Sequence, residues 1–163
     1  MKIRPAKLTN AEQIAEIYNF YILNTHHSFE IEPVSSAEMR DRIAATVENY
    51  PYLIVEENGE IIAYAFASCY KPRSAYKNSV EVSIYVKNDL KQKGIGTKLY
   101  EKLFEALSKM NVHAIIAGIS LSNEANVKLH EKFGMEKVAH FREVGFKLGR
   151  WIDVGYWELI NKK

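Results

Sequence analysis

From Val80 to Ser120 the chain follows a succession that few folds accept. Val80, Val82, Ile84 and Val86 fall on one face of a strand, with Glu81, Ser83 and Tyr85 on the other. A turn follows, made of Lys91, Gln92, Lys93, Gly94, Ile95, Gly96 and Thr97. Leu99, Tyr100, Leu103, Phe104 and Leu107 then recur at helical spacing as far as about Lys109. His113–Ser120 is apolar and strand-like again. A strand–helix–strand unit of this kind belongs to an α/β sheet.

The first half supplies the rest of that sheet. Tyr52–Glu56 and Ile61–Tyr70 read as strands joined across Asn58-Gly59, two residues that accept the positive φ a tight hairpin demands. Two helices precede them. Thr9-x-x-Glu12 reads as a capping box ahead of Ile14, Ile17, Tyr18, Tyr21 and Ile22, and Ser35-x-x-Glu38 as another ahead of Met39, Ile43, Ala44 and Val47. Pro51 ends the second. Asn24–Pro33, between them, is polar and irregular. Beyond the strand–helix–strand unit come a short helix, Asn123–Phe133, closed by Gly134, and a final pair of strands, Val138–Lys147 and Trp151–Ile160. The expectation is one α/β (α+β) domain over residues 1–163. Its central sheet is mixed and antiparallel at the start.

Composition narrows the function classes. With 22 Lys+Arg against 20 Asp+Glu, the net charge of +2 gives no general attraction to nucleic acid or acidic membranes. A bound anion must therefore be held by local geometry. The N-terminal MKIRPAKLTNAEQ has no apolar signal core, and no run approaches the ~18 apolar residues of a membrane helix. The single cysteine, Cys69, forms no internal bridge, which fits a reducing cytoplasm. Its apolar strand makes it a core residue.

The glycine turn is the strongest candidate for chemistry. At a helix N-terminus several backbone N–H groups point outward and the helix dipole favours a phosphate. Glycine allows close approach of the backbone, and Lys91 and Lys93 add charge at the rim. Spacing alone also fits two glycines easing a strand into a helix. A dinucleotide fingerprint needs a third glycine where Leu99 stands, and the P-loop pattern G-x-x-x-x-G-K-(S/T) is absent.

Val80–Leu107 resembles the acetyl-CoA signature of the GCN5-related N-acetyltransferase (GNAT) superfamily, a strand followed by (Q/R)-x-x-G-x-(G/A) at the start of a helix. Lys91 replaces the usual Gln or Arg. Asn123-x-x-Asn126-x-x-Leu129-His130-Glu131-Lys132-Phe133-Gly134-Met135 resembles the superfamily's second signature, with His130 where tyrosine is common and Asn126 where a small residue is usual. Narrower similarity is to the phosphinothricin acetyltransferase branch. It is carried by Phe29-Glu30-Ile31-Glu32-Pro33, Tyr70–Tyr76, Glu81–Val86 and Gly145–Gly155, in order along almost the whole chain.

The resemblance implies the GNAT fold and an acetyl-CoA-dependent N-acetyltransferase, commonly dimeric, in which an amine attacks the thioester directly; a cytoplasmic location is expected from the absence of a signal core and membrane run. An amine of pKa about 10.4 cannot pass its proton to a glutamate near 4.3 without an uphill step of about 8 kcal/mol, unless the site shifts one of them or relays through water. Glu81 is the matched base; alone it would read as a solvated strand residue. His130 either protonates the departing thiolate or packs beside the cofactor. The resemblance assigns the pyrophosphate to the turn residues Lys91–Thr97. It assigns the pantetheine arm to Asn123 and to the backbone of Ile84, Tyr85 and Val86. Arg73, with Lys71 and Tyr76, suits an anionic acceptor through its two-point fork, and Phe29 and Glu30 match the acceptor wall.

No metal is expected. His26, His27 and Glu30 lack a metal-binding spacing such as H-E-x-x-H and read as a solvated loop pair beside a loop carboxylate. Trp151, Tyr156 and Trp157 belong to a core or to a subunit surface. Acetylation of another amine (a protein N-terminus, polyamine or aminoglycoside) and a non-catalytic acyl-CoA-binding module stay open.

Overall fold

The structure, a computed structural model, describes residues 1–90 and 94–161. In chain order the elements are β1 (Lys2–Pro5), α1 (Ala11–Asn24), α2 (Ser36–Val47), β2 (Tyr52–Glu57), β3 (Glu60–Cys69) and β4 (Ser79–Val86). They continue with α3 (Ile95–Ser108), β5 (Ala114–Ser120), α4 (Glu124–Lys132), β6 (Glu136–Lys147) and β7 (Arg150–Ile160). The hydrogen-bonded strand order is β1-β2-β3-β4-β5-β7-β6. Pairing is antiparallel from β1 through β3, parallel between β4 and β5, and antiparallel from β5 through β7 to β6. The sheet is mixed, as the strand pattern implies.

The chain folds as two compact units. The first comprises Met1–Phe20, Val34–Ser68 and Val82–Asn111. Its hairpin turns on Asn58 (φ 51°) and Gly59 (φ 82°), left-handed values that match the twist of β2 and β3. Ser35 caps α2 as anticipated: its hydroxyl accepts from Glu38 N (3.2 Å) and the Glu38 carboxylate accepts from Ser35 N (2.9 Å). The stripe of α3 is buried at Leu99, Tyr100, Leu103 and Leu107, each 1% exposed or less, while Phe104 at its border is half-buried. Burying each such side chain contributes about 2 kcal/mol.

Two details of this unit differ from expectation. A 3-10 turn, Leu8–Asn10, precedes α1, so Thr9 does not cap it. Asn10 folds back on the 3-10 turn: its Oδ1 accepts from Lys7 N (2.9 Å) and from Arg4 Nη1 (3.1 Å). The four-residue β1 was not anticipated, being too short for a period-two pattern to register.

The second unit comprises Tyr21–Pro33, Cys69–Glu81 and Val112 onward. Its core gathers Ile115, Ala117 and Ile119 of β5 with Ile152 and Trp157 of β7, all buried. Trp157 donates from Nε1 to Glu131 Oε1 (3.3 Å), whereas Trp151 is 60% exposed. Cys69 is exposed rather than core, because β3 ends there and its thiol donates to the Lys71 carbonyl (2.9 Å). Strand β6 is interrupted: its register with β7 shifts between Phe141 and Gly145, with Glu143 at φ 51° and Glu143 N donating to Asp153 Oδ1 (2.8 Å). This bulge re-aims the residues after it.

Candidate active site

The glycine turn lies in the first unit. Gly94 caps α3 with φ 92° and ψ 0°, the left-handed region that favours glycine. Among the described residues a Cβ built on it would meet nothing within 4 Å. Lys98 N donates to Gly94 O (3.1 Å), and the N–H groups of Ile95, Gly96 and Thr97 precede that bond, as first-turn donors do in any helix. These donors, with the dipole behind them, fit an anion that needs close backbone approach. Lys91, Gln92 and Lys93 lie outside the described residues. On β4, Ile84, Tyr85 and Val86 are half-buried, and the Tyr85 ring stacks on Tyr64 (centroids 5.3 Å) and meets Tyr18 edge-on (5.1 Å).

The second unit holds a cavity of about 580 Å³. Glu81 of β4 reaches into it, together with Gly118 and Ser120 of β5 and Tyr156 of β7. His27 and Phe29 come from the irregular segment, and the β6 bulge contributes Val144, Gly145 and Phe146. The cross-strand pair Gly118↔Tyr156 explains the opening. A Cβ on Gly118 would stand 3.2 Å from the Tyr156 ring and 3.6 Å from Glu81 Oε1, so glycine lets ring and carboxylate share one face of β5. Burial pushes the Glu81 pKa above its ordinary value. Burial, then the charge of Glu81, pushes the Tyr156 phenol up as well, so that it stays protonated. His27 is lowered by its partial burial, next by His26 and Lys147, and is neutral.

Lys147 is buried, and its ammonium donates to the carbonyls of Ser28 (2.5 Å) and Tyr21 (3.3 Å). The irregular segment is thereby tied down beside the cavity. A Cβ on Gly145 would come within 2.7 Å of Phe29 Cδ1, so the Phe29 ring packs directly against that glycine. Gly145→Val therefore displaces Phe29: the acceptor KM rises about tenfold while the acetyl-CoA KM holds, and Tm falls by several degrees, as overpacking costs about 1–3 kcal/mol. Steady-state kinetics and a thermal melt check this.

Of the residues singled out from sequence, the structure brings Glu81 and Phe29 into one cavity. Glu30 is half-buried beside Phe29 but does not line it. Lys71 lies over the rings of Tyr70 (5.0 Å) and Tyr76 (5.8 Å), and Arg73 is exposed at the head of the 3-10 turn Ser74–Tyr76; none of Lys71, Arg73 and Tyr76 lines the cavity. Asn123 caps α4, its Oδ1 accepting from Asn126 N (3.2 Å). His130 is 1% exposed, with Nδ1 2.7 Å from Asn126 O. Burial depresses its pKa, outweighing that backbone hydrogen bond, which raises it. His26 and His27 are half-buried rather than solvated, because the segment is tied down by Lys147. Gly118, Ser120, Tyr156 and the β6 bulge were missed. A glycine inside an apolar strand was the one available signal. Among the described residues no group of three or more His, Cys, Asp and Glu could hold a metal ion.

A left-handed glycine opening an amphipathic helix, with a half-buried carboxylate on the strand before it, agrees with a family match. Residues 3–155 match the acetyltransferase (GNAT) domain. The chain belongs to the GNAT acetyltransferases. Among its relatives in that family is a phosphinothricin N-acetyltransferase of Streptomyces coelicolor, 36% identical over 162 residues, which make up 97% of this chain and 95% of the relative. A methionine sulfoximine/methionine sulfone acetyltransferase of Salmonella typhimurium is 32% identical over 163 residues, 98% of this chain and 94% of that one. The crystal structure of a GNAT phosphinothricin acetyltransferase from Sinorhizobium meliloti, determined with acetyl-CoA, superposes with a TM-score of 0.93 at 34% identity, covering 98% of this chain and 87% of that one. The GNAT fold and the phosphinothricin acetyltransferase-like resemblance both hold.

Proposed function

We propose that this GNAT protein acetylates the α-amine of a small amino acid or analogue, of the phosphinothricin or methionine sulfoximine type, using acetyl-CoA and direct attack by the amine. One observation carries the reading: a carboxylate, Glu81, stands in a mostly apolar cavity, its pKa raised by burial. A raised glutamate pKa narrows the gap to the ammonium group whose proton it must accept. The relatives named for phosphinothricin and methionine sulfoximine support an acceptor of amino-acid type.

Acetyl-CoA, when bound, supplies the activated acetyl thioester. The left-handed Gly94 and the first-turn amides of Ile95, Gly96 and Thr97 fit its diphosphate, and Lys91, Gln92 and Lys93, which precede them in the sequence, are assigned to the same group. The backbone of Ile84, Tyr85 and Val86 pairs with the pantetheine arm, and the Asn123 amide nitrogen donates to it, since Oδ1 is taken by the cap. His130 packs α4 rather than supplying a proton, because it is buried, neutral and hydrogen-bonded to the Asn126 carbonyl.

Arg73, exposed, holds the acceptor's anionic group. Arg73→Ala is expected to raise the acceptor KM about tenfold and to leave the acetyl-CoA KM within twofold, a loss in the range of one charged hydrogen bond. Equal changes in both would remove that role. The reading further includes one domain, a cytoplasmic location and a homodimer. The family match spans both compact units, and among the described residues no helix is long and apolar enough to cross a membrane. Phe141, Val144, Phe146, Leu148 and Trp151, all more than half exposed on one hairpin, favour a second copy.

Release of CoA thiol, followed over free amino acids and their sulfone, sulfoximine and phosphinate analogues, tests the reading. Saturable release with such acceptors supports it. Acetyl-CoA binding without release for any amine would assign the chain to acyl-CoA binding instead.

A further inference from the structure

We propose that the Ser120 hydroxyl binds the acceptor's amine, holding one N–H while Glu81 receives the proton that the amine must lose. This rests on the acetyl-transfer reading above and adds the residue that orients the nucleophile. Ser120 is 5% exposed and lines the cavity, and among the described residues its Oγ has no hydrogen-bond partner. Its carbonyl accepts from Asn123 N (3.0 Å), so the local turn uses the backbone and leaves the hydroxyl over. A buried hydroxyl without a partner is unfavourable unless a ligand satisfies it.

The strand geometry says which ligand group that is. Gly118 and Ser120 are same-face neighbours on β5, about 7 Å apart. Glu81 Oε1 lies 3.6 Å from the Cβ position of Gly118. Carboxylate and hydroxyl therefore line one cavity on the same side of β5, and an ammonium seated between them donates a hydrogen bond to each. An acceptor carboxylate would meet the charge of Glu81 there, and His27 is neutral and gives no compensation. The proton moves from the ammonium nitrogen to a Glu81 oxygen. The hydroxyl accepts from a second N–H and keeps the nitrogen lone pair from turning away.

Ser120→Ala tests this through two readouts. The acceptor KM is expected to rise about tenfold by the same factor for every α-amino acceptor, the acetyl-CoA KM to stay unchanged, and the Tm to rise by about 2–4 °C because an orphan hydroxyl is gone. An unchanged acceptor KM overturns the assignment. So does a loss that varies with the acceptor's side chain, since Ser120 would then touch that side chain. A lower Tm overturns it too, because the hydroxyl would be bonded within the protein. A wild-type protein that releases no thiol with any amine removes the acetyl-transfer reading itself; an active wild type with an indifferent Ser120→Ala variant removes only this inference.

Discussion

Glu81→Gln is expected to lower kcat at least about a hundredfold near neutral pH while acetyl-CoA affinity barely changes, the range associated with losing a general base. Glutamine keeps the shape and one hydrogen-bonding oxygen but cannot take a proton. The pH profile is the sharper readout. Burial raises the Glu81 pKa, and only the carboxylate form can accept, so the wild-type rate climbs as pH rises through that raised value and is lost below it. The variant should lack this acid limb. The two profiles converge at high pH, where free amine exists without help. An acid limb that persists unchanged in Glu81→Gln would take the base role away from this residue.

Gly94→Val should act on the other substrate. At φ 92° any side chain is strained by about 1–3 kcal/mol, and a β-branched one most, although among the described residues its Cβ meets nothing within 4 Å. The side chain would project into the open face that a diphosphate must approach. The acetyl-CoA KM is expected to rise more than tenfold, the acceptor KM to change little, and the Tm to fall by several degrees. Gly94→Asn separates the two causes, since asparagine tolerates the left-handed region: the Tm recovers while the acetyl-CoA KM stays high. If Gly94→Asn binds acetyl-CoA as wild type does, the turn is not the diphosphate cradle.

The elements most legible in the sequence were those written in local chemistry. The Asn58-Gly59 hairpin, the Ser35–Glu38 box and the α3 stripe each rest on residues within a few positions of one another. Ahead of α1 the pattern named Thr9 as a cap, where the chain instead makes the 3-10 turn Leu8–Asn10. The exposure of Cys69 at the end of β3 was hidden because an apolar run does not say where its last rung falls.

By itself the sequence determined the fold class and the glycine-led helix start, because alternation, helical periodicity and backbone conformational preference are properties of short segments; Glu81 was singled out as a base only by the resemblance to a family. Only the tertiary structure decided what surrounds Glu81. The pairing of Gly118 with Tyr156, the orphan hydroxyl of Ser120, the β6 bulge and the Lys147 clamp on Ser28 join residues distant in the chain. Their placement follows from strand register and packing, which arise only when separate segments meet.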